Sequence, residues 1–487
     1  MGIIAKQTIK GSVFSYLGVV LGGINVAILY PRILSEDQIG LINILIALSA
    51  IFAQFSSLGI NGVTNYFFHY FRNLSQRHHG FLSIIAMVSG IGFTGFLIVY
   101  GLFSEQILST RAEDSVLLSE YGIYIIPVTF FTLIFIVVDV YAAAQRKSLI
   151  GTFMKDFVFR IVNLILILGL HLGFFGFADF LFLYTLALGL PPLVILAELG
   201  RKGHLSLRKP DKTLLHKHAG QMRSVGGYNI LAGFGNMLVT YIDRYMINLF
   251  LGLAATGIYS VTNYVGTLVQ IPRRSMGKIA TPMLARLWAE NKREELQMIY
   301  NRSSISQLLL GVYIFIGIWI NIDAVFRIIP QNYESGKWVV FFIGMANIFR
   351  CLLGLGGLLI TTSHHYKFRT YFTFLLGVLV IVTNLIFIPV WGITGAAMAS
   401  AFSQLVFVAL NMIFLFFRLG IVPLLWKHAL IPLAGAISYG AIMILPLPEI
   451  HWIAELVLKS LLITGVYGLL LKILKVIPHV KNFLKAF

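Results

Sequence analysis

Long apolar runs separated by short polar interruptions recur from one end of the chain to the other. Runs long enough to cross a bilayer, about 20 residues in helical form, occupy 11–30, 39–66, 81–104, 117–142, 150–172, 177–199, 222–250, 254–275, 303–323, 338–362, 367–389, 393–417, 426–446 and 452–473. None alternates apolar and polar positions with the period of two of a barrel strand. Each is therefore read as a helix, which satisfies its backbone polar groups within itself. The pattern predicts an all-α, polytopic membrane protein of about fourteen transmembrane helices.

The polar interruptions are strongly asymmetric. With the N-terminus inside, the densest basic stretches, 201–223 and 273–302, fall in inner loops. The outer loops keep only Arg32, Arg111, Arg327 and Lys337, and the loop after the third run carries Glu105, Glu113, Asp114 and Glu120. The positive-inside rule then places both termini in the cytoplasm. The charged stretch 288–300 reads as an amphipathic extension between the eighth and ninth spans.

Composition agrees with this class. The 487 residues are 58% hydrophobic and 11% charged, with a mean hydropathy of +0.86, whereas soluble domains carry about 25% charged residues. A net charge of +18 would suggest nucleic acid in a soluble protein; here the excess marks membrane orientation, and no nucleic-acid partner is expected. The single cysteine, Cys351, excludes an internal disulfide and leaves no Cys/His metal spacing. His364 and His365 read as turn residues. There is no phosphate-loop motif and no nucleophile with a positioned base, so neither an enzyme nor a metal or cofactor is expected.

A weak internal repeat adds organisation. Leu34 and Gly40 flank a short outer turn after the first span, and Leu251 and Gly257 flank one after the seventh, 217 residues later. Gly176 before the sixth span and Gly392 before the twelfth stand near the same offset. The expected division is a six-helix bundle at 1–199, a basic connector at 200–221, a second six-helix bundle at 222–418, and two extra helices with a basic tail at 419–487. Duplicated halves with a site between them are a transporter architecture.

Charges inside spans carry the candidate chemistry, because each costs roughly 2.5–3.5 kcal/mol at a helix centre. Arg350 lies mid-span on a small, polar face with Gly344, Asn347, Gly354, Gly357 and Thr361; a cavity role and hydrogen bonding to another helix's carbonyls are both open. Arg160 shares a face with Asp156 and Asn163, and a structural pair with Asp139 is the competing reading. Arg244 follows Asp243 in the seventh span, where Asn236 and Thr240 lead to the pair; neighbours on a helix point about 100° apart, so the two need not neutralise each other. Asp243 and Asp139 are candidates for ion coupling. Glu455 and Lys459, four apart, favour an intrahelical pair. Uncharged stripes run through the eighth span at Asn263, Thr267 and Gln270, ending in Arg273, Arg274 and Lys278, and through the second at Gln54, Ser57, Asn61 and Asn65. Arg350, Arg244 and Arg160 are the expected cavity cations, with Asn347, Asn236, Asn263, Gln270 and Asn61 as cavity polar groups.

Several short motifs carry a family resemblance across essentially the whole chain. They are Pro31-Arg32-Ile33-Leu34 with Gly40; Ala144-Gln145-Arg146 ahead of Arg160 and Asn163; Asp243-Arg244 before Leu251-Gly252 and Gly257-Ile258-Tyr259; and Asn384, Pro389, Gly392, Gly395-Ala396-Ala397 and Ser400. In order and spacing the chain resembles the polysaccharide transporters, including O-antigen flippases, of the multidrug/oligosaccharidyl-lipid/polysaccharide exporter superfamily. The resemblance implies two helical bundles around a central cavity. It implies alternating-access transfer of an oligosaccharide on a polyprenyl diphosphate across the bacterial inner membrane, with membrane lipids around the protein and polysaccharide polymerase and chain-length machinery as partners of a monomer. Arginine forks suit a diphosphate. A cation-coupled multidrug exporter of the same fold is the alternative; the absence of acids from the first span and the surplus of intramembrane arginine count against it. A membrane polymerase or ligase is disfavoured by the short outer loops.

Overall fold

A computed structural model describes residues 14–108, 116–145, 147–445 and 451–476, with side chains described except at 148, 272, 274–279, 282 and 331. Arg274, Lys278 and Arg146, named above, lie outside the described side chains. The described residues are predominantly helical and contain no strand.

Among the described residues, eleven helices are long and apolar enough to cross a membrane. Two of them far exceed one crossing: Tyr366–Leu419 has 54 residues and Lys212–Gln270 has 59, whereas about 20 residues suffice. Each contains a glycine with positive φ, Gly392 at 57° and Gly252 at 87°, where a residue with a Cβ would be strained. The helical stretch at 148–171, expected to span, is not among the eleven; it carries Lys155, Asp156 and Arg160. The stretch 288–300 is divided rather than forming one amphipathic extension. One helix ends at Ala289, Asn291 turns with φ 54°, and a helix restarts at Arg293 and runs on to Ile320.

By contacts the chain separates into two compact units, Met1–Ser260 and Val261–Phe487. This boundary falls later than the repeat boundary expected at 222, so the seventh span lies in the first unit.

In the first unit, α1 (Phe14–Ile33), α2 (Glu36–Ser56), α3 (Ile60–Phe71), α4 (Phe81–Leu108) and α5 (Ile125–Ala144) are followed by α6 (Phe159–His171), α7 (Phe177–Ala187), α8 (Leu190–Arg201) and the first part of α9 (Lys212–Thr267). Ser35 caps α2 with a reciprocal Ser35–Gln38 box, which satisfies two of the helix's orphan donors. The core joins α3, α4, α5 and α8 through Phe68, Phe71, Phe81, Val138, Tyr141 and Ile195. α9 lies against α2 and α3 with very close backbone approach. A methyl on Gly40 would overlap the Leu253 carbonyl oxygen, and one on Gly257 would overlap that of Glu36. Leu253 and Glu36 are themselves 217 residues apart, so the two close approaches are reciprocal across that offset. Further along, a methyl on Gly233 would overlap Gln54 and one on Gly62 would overlap Asn229. Small residues permit such approach in membrane helices, where packing rather than apolar burial drives association.

In the second unit, the end of α9 leads to α10 (Ile271–Ala289), α11 (Arg293–Ile320), α12 (Lys337–Leu353), α13 (Gly356–Thr362), α14 (Tyr366–Leu419), α15 (Trp426–Ile444) and α16 (Trp452–Ile473). The last two helices share a core with α11 through Ile305, Val312, Ile316, Ile431, Ile463 and Tyr467. Tyr467 donates to the Leu309 carbonyl at 3.1 Å, and Ser304 Oγ meets His428 Nε2 at 2.8 Å. The expected Glu455–Lys459 pair forms within α16 at 2.6 Å. Large apolar side chains such as Leu102, Ile165, Val390 and Phe417 stay exposed, as lipid-facing residues do.

Candidate functional site

The apolar stretch at 338–362 is discontinuous. α12 ends at Leu353, Gly354 adopts φ 56°, and α13 begins at Gly356. A methyl at 354 would come within 2.7 Å of Ser304 Cα as well as strain the backbone. Broken membrane helices expose backbone polar groups and mark substrate and ion sites in transporters.

Arg350 stands in the last turn of α12, four residues before this break. Its Nε donates to Gln404 Oε1 of α14 at 2.7 Å. Gln404 is only 2% exposed, and its Nε2 has no acceptor among the described residues. Seven residues further along α14, the Asn411 carbonyl oxygen Oδ1 accepts from Arg369 Nη1 at 2.8 Å. The Arg369 guanidinium lies over the Phe407 ring, 4.7 Å from its centroid. It also rests against Gly357, where a methyl would approach Cζ to 3.0 Å. Arg273, in the first turn of α10, completes the group: Arg369 is within Coulombic range of both Arg273 and Arg350, and so is the Cys351 thiol.

Three guanidiniums thus gather beside a helix break, and the partners shown for two of them are neutral amides. Among the described residues no ion pair joins Arg273 or Arg369 to a carboxylate. A guanidinium only donates hydrogen bonds, and the spare Gln404 group is also a donor. Like charges out of bulk water are costly together. An anion with several acceptor oxygens would relieve both the repulsion and the unmade hydrogen bonds.

The other candidates are dispersed. Asn347 is buried, and its Nδ2 donates to the Ile343 carbonyl at 2.9 Å and to that of Gly266 at 3.3 Å. Asn263 is half-buried near the end of α9, and Gln270 is half-buried at the end of the short 3-10 turn Leu268–Gln270 that follows it. In the first unit, Arg160 Nη1 donates to the Gly18 carbonyl, Asn25 Nδ2 donates to the Arg160 carbonyl at 2.9 Å, and Tyr30 donates to Asn163 at 2.9 Å. The Arg160–Asp139 pair weighed above is absent among the described residues; Asp139 instead faces Gly151, whose added methyl would overlap Oδ1. Arg160 is thus hydrogen-bonded across the seam between α1 and its own helix. Asp243 is 8% exposed and accepts from Tyr259 at 2.9 Å. Arg244 donates to the carbonyl of Thr240 on its own helix at 3.2 Å and stacks on Tyr241. Asn236 is exposed. Asn61 Oδ1 is buried without a hydrogen-bond partner among the described residues.

Sequence reasoning singled out Arg350 but passed over Arg369, Gln404 and Asn411. Arg369 opens its span, where the positive-inside rule already accounts for a cation. The signal for its partners was present: Ser400, Gln404 and Asn411 recur at helical spacing within an otherwise apolar run.

Comparison with known proteins places the fold. A family model described as "Polysaccharide biosynthesis protein" matches residues 9–288. The chain is 22% identical over 222 residues to the "Probable low-salt glycan biosynthesis flippase Agl15" of Haloferax volcanii, a match spanning 45% of this chain and 46% of that relative. Among solved structures, "Lipid II flippase MurJ, inward closed conformation" matches with a TM-score of 0.71 at 13% identity, covering 96% of this chain and 99% of that one. A multidrug resistance MATE family transporter of the MOP superfamily, in an inward-facing conformation, matches with a TM-score of 0.61 at 13% identity, covering 89% and 95%. The all-helical membrane fold is that of these transporters, and the chain belongs to the polysaccharide biosynthesis protein family.

Proposed function

We propose that the protein is a flippase that moves a polyprenyl-diphosphate-linked oligosaccharide, an O-antigen or other surface-polysaccharide unit, across the bacterial inner membrane by alternating access. The observation that carries this reading is the arginine group Arg273, Arg350 and Arg369 with the spare Gln404 donor, at the break in the tenth span. A diphosphate presents the clustered anionic oxygens such donors match. The family and the glycan flippase relative support the same substrate class. No bond is made or broken: the head group and sugars exchange water for protein donors while the lipid tail remains in hydrocarbon.

The reading includes fourteen spans, with the two overlong helices each crossing twice and 148–171 crossing once. It also includes two six-helix repeats, cytoplasmic termini, and polymerase and chain-length machinery as partners. Arg244 and Arg160 are further proposed cavity cations, and Asp243 and Asp139 are the groups proposed for ion coupling.

The test is a translocation assay in cells lacking the cognate flippase. Arg369→Ala and Arg350→Ala should each abolish surface polysaccharide while the protein still reaches the membrane folded. Normal polysaccharide in both variants would overturn the assignment. Export of cationic drugs, unaffected by either substitution, would favour the multidrug alternative.

A further inference from the structure

At the start of α11 a recess of about 550 Å³ opens between that helix and the loop 420–425, which joins α14 to α15. It is lined by Arg293, Glu294, Gln297, Met298, Asn301 and Arg302, with Gly420 and Leu425 across from them. The walls are internally satisfied. Gln297 clips the loop twice, accepting from the Val422 N–H at 2.7 Å and donating to the Val422 carbonyl at 2.9 Å, and it also donates to Asn301 Oδ1 at 2.8 Å. Tyr300, fully buried, donates to the Pro423 carbonyl at 3.2 Å. The Leu425 N–H donates to His428 Nδ1 at 2.9 Å. The Ile421 N–H closes the end of α14 on the Leu415 carbonyl at 3.0 Å. The recess is thus held open by bonds that use up its amides and backbone groups.

The guanidiniums of Arg293 and Arg302 are different. Among the described residues neither has a carboxylate partner, although Glu294 stands on the same rim. Beside the recess the surface turns apolar: Met298, Phe417, Val422, Leu424 and Trp426 are all exposed. Lys427 lies over the Trp426 ring at 5.6 Å. An exposed tryptophan beside a cation is the signature of the level where hydrocarbon meets head groups.

We propose that this recess binds the phosphate head group of an anionic glycerophospholipid between Arg293 at one edge and Arg302 at the other, with the acyl chains running along the apolar flank. A soluble phosphate would use the two arginines but leave that flank uncovered, so the lipid is the occupant the surface fits. The site is separate from the arginine group at the helix break and stands whether or not the transported substrate is a glycan lipid.

The test is native mass spectrometry of the full-length protein released from nanodiscs of phosphatidylcholine with phosphatidylglycerol. Retained phosphatidylglycerol should exceed retained phosphatidylcholine. The double variant Arg293→Gln/Arg302→Gln should lower its retention about tenfold, as expected for losing charge-assisted hydrogen bonds at a partly exposed site. Glu294→Gln, which removes the opposing charge, should raise it; this variant keeps the proposal open to refutation if the double variant misfolds. Inorganic phosphate and sn-glycerol 3-phosphate at millimolar concentration should not displace the lipid. Equal retention in wild type and the double variant, reduced retention in Glu294→Gln, or displacement by the soluble phosphates would each overturn the proposal.

Discussion

Asp243 and Arg244 are neighbours in the chain, yet the fold uses them differently. Asp243 turns inward and accepts from the buried Tyr259 hydroxyl, sixteen residues on across the Gly252 bend. Arg244 turns toward its own helix's carbonyl and a tyrosine face. The 100° between successive helical residues is the cause. Tyr259→Phe, which removes a donor from a buried carboxylate, should cost about 1–3 kcal/mol of stability, seen as a lower unfolding temperature of the purified protein. Arg244→Ala should stay within about 0.5 kcal/mol, since the hydrogen bond it loses is to its own helix. If Arg244→Ala instead proves the more destabilising of the two, this division of roles is wrong. Both charges were visible in the sequence as expensive intruders in an apolar run; which of them was structural was not, because that depended on the rotation of α9 against its neighbours.

At the scale of elements, the connector between α8 and α9 is fastened to the turn before α4. His78 Nε2 meets His204 Nδ1 at 3.0 Å, His79 pairs with Asp211 at 3.3 Å, and the Asp211 N–H donates to the His79 carbonyl at 3.0 Å. Ser83 donates to the Arg208 carbonyl at 2.7 Å, and Tyr141 to that of His204 at 3.1 Å. Gly80, with φ 71°, leaves room for the Arg208 and Lys209 carbonyls. Burial, then Lys147, Lys202 and Arg72, hold His204 below the ordinary histidine value. The Leu214 N–H first, with Thr213 and His79, holds Asp211 below the ordinary carboxylate range. Glu198 is engaged by Lys202. A released His204 takes up a proton near pH 6.5, whereas the docked one does so only at lower pH. Release is therefore favoured as pH falls below about 6.5, and Asp211 acts in the same direction only further into acid. Hydrogen exchange of the amides in 204–211, corrected for intrinsic rates, should quicken between pH 7.5 and 5.5. His78, held below the ordinary histidine value chiefly by burial and next by His204, acts in the same direction. The double variant His78→Gln/His204→Gln should therefore remove that pH dependence; its persistence there would exclude the histidine pair as the cause. A basic stretch at 201–223 was plain from sequence, but the histidine pairing, across 126 residues, was not.

At the largest scale, the 217-residue offset seen in the sequence recurs in the packing of the first unit. Gly40 against Leu253 and Gly257 against Glu36 are the same contact made twice, related by the 217-residue offset. Each is an approach of Cα to a carbonyl that no Cβ could share. Gly40→Ala and Gly257→Ala should each cost about 1–3 kcal/mol through overpacking. Because the two sites share one interface, the double variant should cost less than the sum. Thermal unfolding of the three variants measures this, and strict additivity would show that the two contacts yield independently. The class of protein, the positions of most apolar helices, the asymmetry of basic loops and the 217-residue offset between Gly40 and Gly257 were all determined by sequence alone. Each is a sum over many residues or a match at a fixed offset, and hydration of a 20-residue segment hardly depends on its neighbours. The meeting of Arg273, Arg350, Arg369 and Gln404, the use of Arg160 on the Gly18 carbonyl, and the recess at Arg293 and Arg302 were decided only by tertiary structure. They depend on how each helix is rotated and where it breaks, as at Gly354, and on single side-chain distances that hydropathy averages away.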